Sequence, residues 1–325
     1  MLRAEGPVRV KPAGGPETSV RPAGSGLKVG GRRTGSVWST GGDWVSVNGL
    51  RVSGEVSFHR EAEGVAVVNT VAMERYVAGT LGREVYPSWA KEMLKAQAVV
   101  TRTYAMYHAA ARSGEDWDVV GDTRSQVYGG LDAEVPPVVA AAEATQGQWL
   151  AWKSQPILAA FHSASGGRTA SAEEVWGGSL PYLVSVEVEN EEDSPDTYWR
   201  TTVSGPRMSR ALAPFGVRVG PVREIRVVQR SPSGRALTVA VRGPKGEKTI
   251  GARDLREAVG AGVIRSTLFE TRVAPDGIVI VGSGHGHGVG MSQWGAQAMA
   301  LGGADYREIL DLFYPGTKLR KGAGR

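Results

Sequence analysis

The stretch PSWAKEMLKAQAVVTRTYAMYHAAAR, residues 87–112, carries the strongest helix signal of the chain. Pro87 and Ser88 supply a start, with Ser88 as the candidate N-cap, and apolar side chains then recur at helical spacing as far as Tyr104. The stretch therefore predicts a long helix that begins close to Ser88.

The sequence on either side of this helix is rich in strand signals. Short β-branched and aromatic runs alternate with Gly, Asn and Asp before it, and residues 200–280 contain further strand pairs and a helix-like segment. We therefore predict an α+β fold: a strand-rich mixed domain over 35–320, with a long central helix and a small inserted α+β lobe at 200–280. Residues 1–34, rich in Gly, Pro and Arg without periodicity, are predicted to be weakly ordered, and 321–325 to form a tail.

Composition limits the class of protein. The chain has 325 residues, 41% hydrophobic and 22% charged, as expected for a globular protein. Its net charge of +5 favours an anionic partner surface, but no block of basic residues indicates nucleic-acid binding. The absence of cysteine excludes disulfides, thiolate catalysis and thiolate metal sites. No apolar run has the length of a membrane span, and no signal peptide is visible.

Charged residues cluster around the start of the long helix. Glu84, in GREVYPSW, is predicted to lie in a turn just ahead of the helix, where it could be a general acid/base or simply a favourable charge near a helix N-terminus. Lys91, Lys95 and Arg102 form a cationic stripe, which is more often a solvated face; Arg102 would lie too far from Glu84 for a direct pair.

Two later segments also contain residues that could carry chemistry. His162, Ser163 and Ser165 follow an apolar strand, but without a Gly-x-Ser-x-Gly elbow a polar loop is the better interpretation than Ser–His catalysis. The acidic run VEVENEEDSPDTY, 186–198, is predicted to be a solvated loop.

The segment GHGHGVGMSQWGA, 284–296, holds His285 and His287 among five glycines. Its spacing matches no nucleotide-binding loop, and metal ligation and a substrate wall stay equally open on the pattern alone. A helix is predicted to begin near Ser292.

Together these segments resemble the stage II sporulation protein D (SpoIID) family, which includes the LytB-type modifiers of autolysin amidases. The resemblance covers 36–320 and rests on ordered motifs: GREVYPSWAKEMLKAQAVVTRTYA, DTRSQVYGG, FHSASGGRTASAEEVWGGSLPYLVSV, GHGHGVGMSQWGAQAMALGG and ILDLFYPGTKL.

The resemblance implies a secreted or envelope protein acting on peptidoglycan glycan strands, with a cell-wall amidase as a partner. It implies lytic transglycosylase activity on strands lacking stem peptides, with Glu84 as the catalytic acid/base giving anhydro-muramic ends. The alternative is a non-catalytic glycan-binding modifier of an amidase. The residues that the motifs place at the substrate are Lys95, Arg102, Gln126, Tyr128, His162, Ser163, Ser165, His285, His287 and Gln293.

Two further expectations follow from the resemblance. Glu84, the Gln126 loop and the His162 loop would converge on one face, with the glycines of 284–296 letting the backbone approach a bulky sugar. Some family members hold a structural zinc through a histidine like His162 and two downstream cysteines; because this chain has no cysteine, we predict no zinc and no cofactor.

Overall fold

The protein, analysed as a computed structural model, is described here for residues 1–4 and 7–322. Helices account for 27% and strands for 32%, which confirms a mixed α+β protein. The chain divides into two compact units: Met1–Ala159 with the C-terminal residues from Lys318 onward, and Ala160–Thr317. No helix within the described ranges is long and apolar enough to cross a membrane.

The first unit begins with antiparallel strands and continues with helices. Its strands are β1 (Leu2–Ala4), β2 (Val8–Pro12), β3 (Thr18–Ala23), β4 (Gly26–Val29), β5 (Arg32–Thr34), β6 (Val37–Thr40), β7 (Val45–Val47), β8 (Leu50–Val52), β9 (Glu55–Glu61), β10 (Gly64–Thr70), β11 (Gln148–Trp152), β12 (Gln155–Pro156) and β21 (Lys318–Lys321). They form sheets in the orders β5-β4-β3-β2-β7-β8, β1-β10-β9-β6 and β12-β11-β21.

The prediction that residues 1–34 are weakly ordered is wrong. They contribute strands β1–β5, and Val8, Val10, Val20 and Leu27 are fully buried in a core shared with β7–β10. In β2, Val8 and Val10 are buried and Arg9 and Lys11 are exposed, the alternation of a strand with one face on a core. Several of the residues that suggested disorder lie at the turns between these strands: Gly14, Gly15, Pro16, Gly24, Gly30 and Gly31. The predicted tail also begins inside β21, and residues 323–325 lie outside the described residues.

The helices of this unit are α1 (Met73–Glu84), α2 (Lys91–Ala111), a 3₁₀ turn (Gly130–Ala133) and α3 (Pro136–Ala144). The predicted long helix is α2, with 21 residues, but it begins three residues beyond Ser88 and its N-cap is Ala90. Helix α1 was not predicted at all. It packs on α2, the 3₁₀ turn and α3, and close contact at Gly82, where a Cβ would lie 2.1 Å from the Ala133 carbonyl oxygen, permits that packing.

The second unit contains short sheets and short helices. Its elements in chain order are β13 (Phe161–His162), α4 (Ala172–Trp176), β14 (Trp199–Val203), α5 (Gly205–Leu212), a 3₁₀ turn (Ala213–Phe215), β15 (Glu224–Arg230), β16 (Ala236–Gly243), β17 (Gly246–Gly251), α6 (Ala252–Val259), β18 (Phe269–Ala274), β19 (Gly277–Gly282), β20 (Met291–Ser292), α7 (Gln293–Leu301) and α8 (Tyr306–Phe313).

Residues 199–280 of this unit share a hydrophobic core. It is built from the sheets β14-β19-β18 and β15-β16-β17 with helices α5 and α6, and its centre includes Met208, Val239, Leu255 and Ile280, none of them exposed to solvent. This is the segment predicted to form a lobe. Outside it, β13 pairs in parallel with β20, which joins the His162 segment to the start of α7.

Candidate functional site

Glu84 is the last residue of α1, not a residue of the turn ahead of α2. It therefore lies at the negative end of a helix dipole, the opposite of the position expected from the sequence. Burial raises the pKa of the Glu84 carboxyl above its ordinary value, and a hydrogen bond from the Val127 amide acts against that rise. The side chain is only partly buried, so its carboxyl combines a raised pKa with access to solvent.

The Gln126 loop lies against Glu84. The backbone N–H of Val127 donates to Glu84 Oε1 over 2.5 Å, and the Tyr76 hydroxyl donates to Gln126 Oε1 over 2.8 Å. Burial raises the pKa of both Tyr76 and Tyr104, and the negative charge of Glu84 adds to each rise. The hydroxyls of Tyr76 and Tyr104 therefore stay protonated and can act as hydrogen-bond donors.

Gln126 itself is fully buried, and its role as a groove-lining hydrogen-bond partner of the substrate stays a prediction. Its Oε1 anchors Tyr76, while its Nε2 has no hydrogen-bond partner among the described residues. Tyr128 stacks on Tyr76 with 5.6 Å between ring centroids, and its buried hydroxyl likewise has no hydrogen-bond partner within the described chain. Both side chains thus contact Tyr76, one through a hydrogen bond and the other through its ring.

The cationic stripe on α2 separates into two kinds of residue. Arg102 is 1% exposed, and its guanidinium pairs with Glu74 and donates to the carbonyl oxygens of Ala98, Ala142 and Gln148. This buried cation is held by contacts within the protein, and its role in substrate binding stays a prediction. Lys95 stays nearer the surface, with 28% of its side chain exposed and Glu92 at 2.6 Å.

In the second unit, residues 165–167, in the loop after β13, surround Glu191, which belongs to the acidic run predicted to be a solvated loop. The Glu191 carboxylate accepts hydrogen bonds from the backbone N–H groups of Ser165, Gly166 and Gly167 and from the hydroxyls of Ser165 and Ser292. Ser165 is fully buried and binds Glu191, and its contact with substrate stays a prediction. One sequence feature could have indicated this contact: the run SASGG, 163–167, carries many hydrogen-bond donors, and such donors need an acceptor when they are buried.

The rings of His162 and His287 lie 5.6 Å apart, between centroids. His162 Nδ1 donates to the Val289 carbonyl oxygen over 3.1 Å, so its Nε2 carries a lone pair, and this buried atom has no partner within the described chain. Burial lowers the pKa of His162 well below its ordinary value. His162 is therefore neutral and offers a hydrogen-bond acceptor.

His287 is fixed by the backbone on both sides. Its Nδ1 accepts from the Val289 N–H over 3.0 Å, and it also bonds the backbone of Phe161. Burial is the main cause that lowers the pKa of His287 to about 4. The ring of Trp176 lies 5.4 Å away, so His287 is a neutral spacer between Trp176 and His162.

His285 points to a different partner. Its Nδ1 lies 3.0 Å from an oxygen of the buried Asp196, which also binds Arg265, and 39% of the His285 side chain is exposed. Asp196 belongs to the acidic run that was predicted to be solvated, so that prediction fails here as well. Because His285 and His287 face different partners, the pair cannot act as one chelating unit.

The donor set does not fit the structural zinc that the resemblance implies for some relatives. Among the described residues no group of three His, Cys, Asp or Glu side chains could hold a metal ion, and the chain has no cysteine. Both hydrogen-bonding sides of the His287 ring are already engaged with the backbone.

The glycines of 284–296 approach the protein itself. A Cβ on Gly290 would lie 2.0 Å from the Ala160 carbonyl oxygen, and one on Gly286 would lie 2.7 Å from His162 Cβ. Helix α7 begins at Gln293 with Ser292 as N-cap, as predicted. Gln293 is buried, and Ser163 accepts from the Trp294 N–H through its carbonyl oxygen over 3.0 Å.

Fold and geometry thus define a mixed α+β protein with a partly buried carboxylate in one unit and a glycine-rich histidine loop in the other. A family model described as "Stage II sporulation protein" matches residues 61–152, and one described as a domain of unknown function matches 178–290.

Curated relatives extend this match over most of the chain. An uncharacterized protein of Brachyspira hyodysenteriae is 35% identical over 90% of this chain and 78% of its own. Stage II sporulation protein D of Bacillus subtilis is 31% identical over 78% of this chain and 75% of its own. The amidase enhancer of Bacillus subtilis is 28% identical over 74% of this chain and 40% of its own. The chain belongs to the stage II sporulation protein D family.

Proposed function

We propose that this protein acts on the bacterial cell wall as a peptidoglycan lytic transglycosylase, cutting glycan strands that lack stem peptides. The carrying observation is the partly buried Glu84 carboxyl with its raised pKa. A carboxyl of this kind is protonated more readily than an exposed one, which is what a general acid near neutral pH requires.

One carboxyl is sufficient for this reaction. Glu84 first gives its proton to the glycosidic oxygen as the bond from that oxygen to the anomeric carbon breaks. The resulting carboxylate then takes the proton of the same sugar's C6 hydroxyl, whose oxygen bonds to the anomeric carbon and closes an anhydro ring. Glu84 ends protonated, as it began, and no water is consumed. Glycosidases that transfer the sugar to water use two carboxyl groups instead.

The Val127 amide supports both steps. Its hydrogen bond to Oε1 holds the carboxyl in one orientation and stabilises the charged form that exists between the two steps. In the second unit, the lone pair on His162 Nε2 suits a hydroxyl or amide donor of the glycan. The resemblance to the family also assigns sugar contacts to five further residues, and these roles are part of the proposal: Lys95, Ser163, His285, His287 and Gln293.

An activity of this kind places the protein outside the cell membrane, in the envelope or beyond it. A second candidate function is a non-catalytic glycan-binding protein that recruits or stimulates a cell-wall amidase. The relative named amidase enhancer favours it. The two candidates share a glycan ligand and differ in whether a bond is cut.

Incubation with peptide-free glycan strands, followed by mass spectrometry, separates the two candidates. Wild type should release fragments with anhydro-muramic ends, Glu84→Gln should lose at least about 100-fold in rate, as removal of a general acid does, and the exposed Glu63→Gln should cut like wild type. If wild type binds the strands without cutting them, the second candidate function, a non-catalytic glycan-binding protein that stimulates an amidase, is favoured. Cleavage by Glu84→Gln at the wild-type rate would show that Glu84 is not the acid.

A further inference from the structure

The loop directly after Glu84 carries two aromatic rings on one turn. Val85 is the C-cap of α1, and the next four residues, Tyr86-Pro87-Ser88-Trp89, form a turn closed by the Trp89 N–H donating to the Tyr86 carbonyl oxygen over 3.0 Å. Pro87, at the second position, has its φ fixed by the ring in the range that such turns require. The backbone that holds the rings is therefore set before any ligand arrives.

The two rings form a small aromatic surface. Their centroids lie 5.4 Å apart with 55° between the ring planes, and Tyr86 is 58% exposed while Trp89 is partly buried. The partly buried Trp89 ring thus packs against the Tyr86 ring, which is exposed to solvent. Ser88 and Lys91, on either side of Trp89, are exposed polar residues.

A pyranose ring fits this surface better than an apolar protein segment would. Its axial C–H groups make an apolar, slightly positive face that suits the negative face of an aromatic ring, and its hydroxyls point outward to water and polar neighbours. An apolar patch of two rings with polar residues around it is too small for a stable protein interface. Tyr86 is two residues from Glu84, so their Cα atoms lie at most about 7 Å apart and the turn follows the candidate acid directly.

We propose that Tyr86 and Trp89 form a carbohydrate-binding subsite that holds a sugar of the glycan strand next to the bond that Glu84 protonates. The inference deepens the proposed function and rests on it for the identity of the ligand. The turn contributes binding through a rigid surface, which loses little conformational entropy on binding. Neither ring takes part in proton transfer.

The experiment measures binding of peptide-free glycan strands by titration calorimetry in a Glu84→Gln background, where the strands stay intact. Tyr86→Ala should raise the Kd about tenfold, equivalent to about 1.4 kcal/mol. Tyr86→Phe should recover the affinity to within about twofold of the parent, since the ring is restored. Tyr198→Ala, which removes a tyrosine 87% exposed in the second unit, is the matched control and should bind like the parent.

A second measurement uses the cutting enzyme. Tyr86→Ala in the wild-type background should raise KM with little change in kcat, as loss of uniform binding does. Trp89→Ala should weaken binding as well, and a thermal melt checks that it remains folded.

The outcomes separate this inference from the proposed function. If wild type cuts no strands but Tyr86→Ala still weakens binding, the transglycosylase proposal fails and the subsite stands. If wild type cuts strands while Tyr86→Ala and a folded Trp89→Ala bind and cut normally, the subsite is overturned alone. Absence of any strand binding by the parent overturns the subsite too.

Discussion

Glu84 and Glu191 are carboxylates that both accept backbone hydrogen bonds, yet Glu191 is buried and Glu84 only partly so. Three backbone amides and two hydroxyls donate to Glu191, which is 6% exposed. At Glu84 the Val127 amide donates to one oxygen, the side chain keeps partial access to solvent, and burial raises the pKa. A carboxylate saturated with donors ties loops together, whereas one that is desolvated but reachable can exchange a proton.

The largest predicted effect is on stability at Glu191. Glu191→Ala removes the acceptor of five donors, among them the buried N–H and hydroxyl of Ser165 and the buried hydroxyl of Ser292, so the free energy of unfolding should fall by about 4 kcal/mol or more. Differential scanning calorimetry measures the loss. Hydrogen exchange should show that the amides of Ser165, Gly166 and Gly167 lose protection.

The neighbouring Glu192 is exposed, so Glu192→Ala is the matched control and should change the melting temperature little. Equal stability of the two variants would mean that Glu191 does not hold the loop, and the contrast with Glu84 would disappear.

The next prediction tests a similar contrast between cations on one helix. Arg102→Met leaves Glu74 and three carbonyl oxygens without their buried donor and should cost about 3 kcal/mol. Lys95→Met removes a partly exposed pair three residues apart and should cost less than about 0.5 kcal/mol. Urea unfolding of both variants checks the difference. If Lys95→Met lowered the free energy of unfolding more than Arg102→Met does, Arg102 would not be the cation that stabilises this unit from inside.

Much of the fold followed from periodicity. Residues 200–280 contain the strand pair Glu224–Arg230 and Ala236–Gly243 and the helix Ala252–Val259, in agreement with the strand and helix signals there, and α7 begins directly after Ser292 as predicted. The N-terminal strands did not, because hairpins with Gly and Pro at their turns have the composition of a flexible segment. Only the alternating burial of β2 reveals them, and burial is a property of the tertiary structure.

The candidate site was less predictable, since spacing along the chain does not say which polar group is buried. The stripe placed Arg102 and Lys95 on one helix face correctly, but only packing against α3 and β11 shows that Arg102 lies inside. Glu191 stands in a run of acidic residues that has every feature of a solvated loop. Its hydroxyl donors lie far away in the chain, Ser165 26 positions earlier and Ser292 101 positions later.

A third prediction concerns the backbone that supports the histidine loop. Gly290 has φ of +70°, and a Cβ there would lie 2.0 Å from the Ala160 carbonyl oxygen, so Gly290→Ala should lower the free energy of unfolding by about 2 kcal/mol. Gly303 also has a positive φ, +97°, but an added Cβ meets nothing within 4 Å. Gly303→Ala therefore measures only the loss in the free energy of unfolding that comes from the positive φ. Calorimetry of both variants then gives, by difference, the additional loss at Gly290 that comes from the steric clash. Equal losses would show that Gly290 is needed only for its φ.

The smallest expected effect returns to Glu84 and its raised pKa. Because the folded protein holds this proton more tightly than the unfolded chain, the proton contributes stability at low pH that is lost as pH rises through the folded pKa. Glu84→Gln keeps an oxygen for the Val127 amide and carries no charge. It should therefore melt like wild type near pH 4, below the ordinary value of 4.5, and melt slightly higher than wild type near pH 8. The exposed Glu63→Gln, measured at both pH values, corrects for the loss of one negative charge. A Glu84→Gln variant that is less stable than wild type near pH 8 would mean that the charged carboxylate is held as favourably as Glu191 is, and Glu84 would then be a structural residue and a poor general acid.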